Sequence, residues 1–408
     1  MKYIVVVGDG MADRPLRRLS YKTCLQKAKT QNMDRLAAQG EAGMVRTIPE
    51  GFEPGSDIAN LSILGYDPCR YYGGRAPLEA AFRGIKLGPR DIAFRCNLVT
   101  LRFQGQNDRR YAIMQDYSAG HITTREARQL IEDVNKRLGS REVVFYPGIS
   151  YRHLMVWKNG GEGIRCTPPH DITGRRIDRY LPKGQGAERL LRLMEDSIDI
   201  LQSHPLNRRR VKKGLAPANS LWFWGQGKGL RLPQFKDRYG LSGAIISAVD
   251  LMKGIGISVG FDVINVKGAT GYLDTNYKGK ARAALRVLES VDMVYVHVEA
   301  PDEAGHNGDV EAKIRAIEDF DSKIVGAIMK GMQRFRDYSI LLLPDHATPI
   351  SVRSHTDEPV PFVIYRSTGA KGRSSKIRSF SEDIGKIKDI LVFEKGHKLM
   401  NYFIGSKR

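Results

Sequence analysis

Acidic residues are in short supply: the 408-residue chain carries 45 Asp and Glu against 65 Lys and Arg, a formal net charge of +20. Such an excess fits an anionic partner, whether nucleic acid, a membrane surface or an anionic small molecule, and equally a solvated Lys/Arg-rich surface. The basic residues are spread along the whole length, and their densest run, Arg208 to Lys213 beside Asn207 and Gly214, reads as an exposed loop. Cysteine is sparse and unpatterned. Cys24, Cys69, Cys96 and Cys166 form no CxxC pair and no metal-like spacing, so the thiols are expected to be reduced and the compartment cytoplasmic. No apolar run approaches the length of a membrane span, and the apolar part of MKYIVVVGDGM is too short for a signal peptide. Helix-turn-helix, RRM-like and zinc-finger patterns are missing too, so no specific nucleic-acid partner and no membrane partner are expected.

What is present is a set of strand-like runs that stop at Asp and His. Tyr3 to Val7 is a continuous β-branched run ending in Gly8-Asp9-Gly10, the mark of a buried parallel strand. Met293 to Val298 ends in EAPDEAGH, where Asp302 and His306 stand four apart and share one side of a helical turn. Ile340 to Leu343 stops at Pro344 and delivers Asp345 and His346, with His355 nine residues after His346 on a polar loop. Each acid alone could close a turn or cap a helix. Buried carboxylates and imidazoles are costly without partners, however, and in an open parallel sheet functional groups gather beyond the carboxyl ends of the strands. Six such ligands suit two divalent cations that keep places for substrate and water.

Between these runs lies EPGSDIANLSILG. Pro54-Gly55 breaks the chain, apolar residues follow at helical spacing, and Gly65 closes the segment. Ser56 is thus either an N-cap or a hydroxyl held at a helix N-terminus, where free N–H groups favour phosphate. From Asp91 to about Arg175 short strands (93–103, 143–145, 152–157) surround one helix, 123–138, which reads as a small α+β unit inserted into the main fold. Asp116, His121, Arg152 and His153 fall near its element ends, where surface or structural roles compete with catalysis. Ser220 to Trp224 is strand-like and leads into Gly225-Gln226-Gly227-Lys228-Gly229, a weak anion-loop pattern. Further on, alternating helices (187–203, 244–253, 280–287) and strands (262–266, 293–298) imply a parallel sheet with helices on both faces. An amphipathic helix carrying Val310, Ile314, Ile317, Phe320, Ile324 and Ile328 follows His306.

The stretches VVVGDGM, EPGSDIANLSILGYDP, GRAPLEAAFRGI, YPGISYRHL, PPHDITG, KGATGYLDTNYKGKA, YVHVEAPDEAGHNGD and LLLPDHATPISVRSHTDEPVP span nearly the whole chain. Together they make the sequence resemble the archaeal-type cofactor-independent phosphoglycerate mutases of the alkaline phosphatase superfamily. The resemblance implies an α/β alkaline-phosphatase-like core with a mostly parallel sheet flanked by helices, residues 1–87 and 179–408, and an inserted lid domain, 88–178. It implies that Asp9, Ser56, Asp345 and His346 surround one divalent ion while Asp302, His306 and His355 hold another, Mn²⁺ or Mg²⁺ with Zn²⁺ as a further candidate. Ser56 takes the position of the family's nucleophile, and no 2,3-bisphosphoglycerate is required. Arg152 and His121 are then expected in catalysis, and His153, Lys228 and Lys253 in binding the anionic phosphoglycerate. The rival expectation is a metal-dependent phosphatase, or another phosphomutase, built on the same ligands.

Overall fold

The apolar runs that stop at acids are central strands, buried on both faces as parallel strands must be. A computed structural model of the chain describes residues 1–103, 109–161, 163–229, 231–368 and 377–405. In chain order the strands are β1 (Lys2–Gly8), β2 (Glu41–Val45), β3 (Ile92–Arg102), β4 (Ile113–Asp116), β5 (Val143–Ile149), β6 (Arg152–Trp157) and β7 (Ser220–Lys228). They continue as β8 (Gly243–Ile246), β9 (Asp262–Val263), β10 (Met293–Val298), β11 (Tyr338–Leu343), β12 (Val360–Arg366) and β13 (Leu391–Phe393). Two compact units divide them: Met1–Tyr72 with Arg231–Arg408, and Gly73–Leu230.

The first unit holds an α/β sheet of order β13-β2-β12-β11-β1-β10-β8-β9. At its centre β1 runs parallel to β10 and β11, with Val5 opposite Tyr295 and Leu341. β8 and β9 extend the parallel part, while β12 is antiparallel to both β11 and β2. Ile4, Val6, Val294, Val296, Ile340 and Leu342 pack into one apolar core with Ile317, Phe320, Ile324 and Ile328. Those last four belong to the expected amphipathic helix, observed as Val310–Phe320, a π turn over Asp321–Val325, and Gly326–Met332. The expected helix over 244–253 is divided. Ala244 and Ile246 pair with Val294 and Val296 as strand, and the helix begins at Asp250. A short apolar run suits a buried strand as well as a helix, and the open edge of β10 decides.

In the second unit β4-β3-β6-β5 form an antiparallel sheet and β7 pairs with the other side of β3. Helix Thr124–Leu138 opens on a capping box between Thr123 and Glu126 and buries Ala127, Leu130, Ile131 and Val134. This unit extends beyond 88–178 at both ends. β7 lies along β3 from Val99–Ser220 to Ile92–Lys228, and helix Ala187–Ser203 packs Leu190, Leu193, Met194 and Leu201 into the same core as Trp222 and Phe223. The glycine-rich segment 225–229 is strand as far as Lys228. Gly227 serves close packing, since a Cβ there would overlap the Gly73 carbonyl. The basic run lies mostly in helix Pro205–Lys212, and Arg210 is buried, donating to Ala119 O and Ala216 O and pairing with Glu126. Among the described residues no helix is long and apolar enough to cross a membrane.

Candidate active site

The carboxyl ends of β1, β10 and β11 lie side by side in the first unit, so the residues that follow them are brought together by the sheet register. Asp9 follows β1, Asp302 and His306 sit on helix Ala300–Asn307 just after β10, and Asp345 and His346 follow β11. His346 Nε2 lies 3.4 Å from Asp9 Oδ1 and 3.6 Å from Asp345 Oδ2. Asp345 Oδ1 accepts from the Gly10 N–H at 3.0 Å and from the His346 N–H at 2.9 Å. Asp9, Asp345 and His346 are all buried.

Ser56 opens helix Ser56–Ile63, but the N-cap is Gly55 and no side chain caps the helix. The Ser56 hydroxyl instead meets His346 Nε2 at 3.0 Å. The N-cap reading is therefore set aside, and the hydroxyl stands at a helix start among buried Asp and His side chains. Asn60, one turn on, donates to Ser56 O and to Asp345 Oδ2, both at 2.7 Å, so the helix start and the β11 end are tied together.

The second group is contiguous with the first. Asp302 Oδ2 lies 3.2 Å from His306 Nε2, Asp302 Oδ1 lies 3.4 Å from His355 Nε2, and the two imidazole Nε2 atoms are 2.9 Å apart. His306 Nδ1 faces Arg353 O and His355 Nδ1 faces Pro54 O. A carbonyl only accepts, so both Nδ1 atoms carry hydrogen, and in the neutral rings both Nε2 lone pairs point at each other beside a carboxylate. That arrangement repels unless something positive lies between, which is what a cation would supply. The rings of His346 and His355 are 4.3 Å apart, so the stretch from Ile340 to Pro361 reaches both groups.

Electrostatics agree with that chemistry. Burial, together with Asp345, Asp302 and Glu299, pushes the Asp9 carboxyl well above its ordinary range. Burial lowers His346 to about 4, so its lone pair is available. Asp9 Oδ1 is buried with no hydrogen-bond partner. Carboxylates and imidazoles without thiolate suit a hard or borderline divalent ion, so the residues fit the expected metals.

Several neighbours were not foreseen. His297, inside β10, is fully buried with Nε2 3.4 Å from Asp9 Oδ2 and Nδ1 3.1 Å from Glu299 Oε1. Burial opposes its charge, but Asp345 and Glu299 hold it up to about 9. Tyr295 donates its hydroxyl to Asn60 Oδ1 at 2.5 Å, and Thr348 does the same to Asp302 Oδ1 at 2.5 Å. A polar residue interrupting the β-branched run of β10 was the signal available for His297.

The other expected site residues fall elsewhere. His121 and Arg152 belong to the second unit and are exposed, His121 in a left-handed backbone conformation and Arg152 at the start of β6 near the Tyr151 ring. His153 is 1 % exposed, and its Nδ1 accepts from the Gly148 N–H at 2.9 Å. Neighbouring residues on a strand face opposite ways, so His153 is turned into the unit, where its Nε2 is buried without a hydrogen-bond partner. Lys228 ends β7 in the second unit, not in the core where it was expected, while Lys253 lies on helix Asp250–Ser258 of the first.

Fold and site define the class first: an α/β enzyme with a serine hydroxyl among buried carboxylates and imidazoles at parallel strand ends. Residues 37–207 match the family model of 2,3-bisphosphoglycerate-independent phosphoglycerate mutase. The chain is 51% identical over 409 residues to the 2,3-bisphosphoglycerate-independent phosphoglycerate mutase of Methanosarcina barkeri, covering 100% of both chains. Among solved structures it is similar to the PH0037 protein from Pyrococcus horikoshii, with 30% identity, TM-score 0.80, and 100% and 98% of the two chains covered. It is also similar to the cofactor-independent phosphoglycerate mutase from Thermoplasma acidophilum, with 26% identity, TM-score 0.67 and 99% of each chain covered. The chain belongs to the 2,3-bisphosphoglycerate-independent phosphoglycerate mutases.

Proposed function

We propose that the enzyme interconverts 3-phosphoglycerate and 2-phosphoglycerate through phospho-Ser56 at a site for two divalent cations. Asp302, His306 and His355 would hold one ion, and Asp9, Asp345, His346 and the Ser56 hydroxyl the other, with Mn²⁺ or Mg²⁺ as the expected metals. Bound there, the ions would supply positive charge to the entering and leaving oxygens and lower the pKa of the Ser56 hydroxyl. The observation that carries the reading is the placement of the Ser56 hydroxyl: free of any capping bond and 3.0 Å from His346 Nε2.

Ser56 Oγ forms a bond to phosphorus as the bond to the 3-oxygen of the substrate breaks, and the serine proton ends on that oxygen. Glycerate is retained and reorients. Its 2-hydroxyl then attacks phospho-Ser56, the P–Oγ bond breaks, and the hydroxyl proton returns to Ser56. The first turn of helix Ser56–Ile63 lies at the positive end of the helix dipole, which favours the transferred anion. A substrate carboxylate calls for a guanidinium, and exposed Arg152 remains the candidate, with Arg75 in the same electrostatic neighbourhood of the second unit around Arg95. His121 remains a candidate for handling the glycerate hydroxyl.

Phosphorus NMR of 3-phosphoglycerate with the metal-loaded protein tests the reading, without added 2,3-bisphosphoglycerate. The expected result is 2-phosphoglycerate building to equilibrium with little inorganic phosphate. Phosphate release without 2-phosphoglycerate would instead identify a metal-dependent phosphatase.

A further inference from the structure

Behind the strand ends lies a row of buried ionisable groups that none of the steps above uses. Lys280, on helix Tyr277–Val287, has no exposed surface. Its Nζ donates to Glu299 Oε2 at 2.9 Å and to His297 O at 3.0 Å. Glu299 Oε1 accepts from Ser247 Oγ at 2.6 Å and the Ala248 N–H at 3.1 Å, and faces His297 Nδ1 at 3.1 Å. His297 Nε2 is buried without a hydrogen-bond partner and lies 3.4 Å from Asp9 Oδ2 and 3.7 Å from Asp345 Oδ2.

Each link constrains the next. An ionised Glu299, held by Lys280 and Ser247, only accepts, so His297 Nδ1 must carry hydrogen and the tautomer is set by its partner. The ring is pinned at one end by Glu299 and at the other meets one oxygen from each of two carboxylates. Those carboxylates repel each other, and while Asp345 is also fixed by Asn60 and by the Gly10 and His346 N–H groups, Asp9 Oδ1 has no hydrogen-bond partner, so the ring is what ties Asp9 to Asp345. A buried ion pair is also a poor way to fasten a helix to a strand, because apolar residues of similar volume do so at least as well. A charged row that ends on Asp9 and Asp345 serves those two residues.

We infer that His297 is a positioning residue, locked by Glu299 and Lys280, that holds Asp9 and Asp345 in one fixed arrangement so that together they bind a divalent ion. The inference rests on the two-ion reading above. It assigns His297 to one of the two ions only, because the row ends on the carboxylates of Asp9 and Asp345, whereas the side chains of Asp302, His306 and His355 face one another.

Calorimetric titration of metal-free protein with Mn²⁺ tests it, with thermal unfolding recorded alongside. Wild type is expected to bind two equivalents; failure to do so overturns both the two-ion reading and this inference. In His297→Asn one equivalent is expected to weaken about 10- to 100-fold, the usual effect of removing a group that orients a ligand, while the other binds as in wild type. Asp9→Ala should abolish the same equivalent. Ser247→Ala, which removes one bond to Glu299 without unburying a charge, should weaken it several-fold and covers the case in which His297→Asn fails to fold. Two equivalents bound with wild-type affinity in both His297→Asn and Ser247→Ala, or both equivalents weakened alike, would overturn the inference.

Discussion

His153 is a neutral imidazole because of where β6 puts it. Burial, with the Arg83 charge nearby, lowers it from 6.5 to about 3. Between those values the unfolded chain binds a proton that the folded chain does not, so stability falls as pH drops below about 6.5. The loss between about pH 7.5 and pH 5.5 is roughly 1 kcal/mol. The three tryptophans, Trp157, Trp222 and Trp224, all lie in the second unit, so their emission during denaturant unfolding reports on it alone. Wild type should lose more stability on acidification than His153→Asn, in which His170 of the same unit, also lowered by burial, still contributes; equal pH dependence would mean His153 stays accessible to protons. Residues of this kind mark the limit of reading roles from sequence. Asp9, Asp345 and His346 were legible because each follows an apolar run that stops. His297 was passed over because it sits inside its strand, marked only by its polarity there, and His153 is separated from Arg152 only by the strand's alternation, which its composition does not show.

The elements themselves were largely legible where periodicity was strong, and the errors came from pairing partners. β1, β6, β10 and helix Ala187–Ser203 follow directly from their residue patterns. For β7 the run SLWFW announces a buried strand without saying which sheet receives it, and its union with β3 moves residues 179 to 230 into the second unit. Gly225 to Gly229 looked like a weak anion loop because glycine and lysine compose such loops. The physical use of Gly227 is the close approach of Gly73, where an added Cβ has no room. Gly227→Ala should therefore destabilise the second unit by about 1–3 kcal/mol, as overpacking does. The tryptophan-monitored denaturation midpoint measures it. An unchanged midpoint would show that the Gly73 segment yields freely.

At the scale of the whole molecule, the net charge of +20 left nucleic acid as a rival partner until the site and the family were in view. A dispersed excess of this kind gives only weak, sequence-independent attraction, which falls with salt as counterion release requires. Retention on immobilised duplex DNA should vanish near physiological salt, and sequence-selective binding there would contradict that view. The central claim is narrower: Ser56 carries the phosphoryl group. Because Gly55 is the N-cap and no side chain caps the helix, Ser56→Ala should change stability by less than about 0.5 kcal/mol. Phosphorus NMR of 3-phosphoglycerate with folded, metal-loaded Ser56→Ala is the most direct measurement. The account predicts no 2-phosphoglycerate above the uncatalysed background; conversion at the wild-type rate would contradict it.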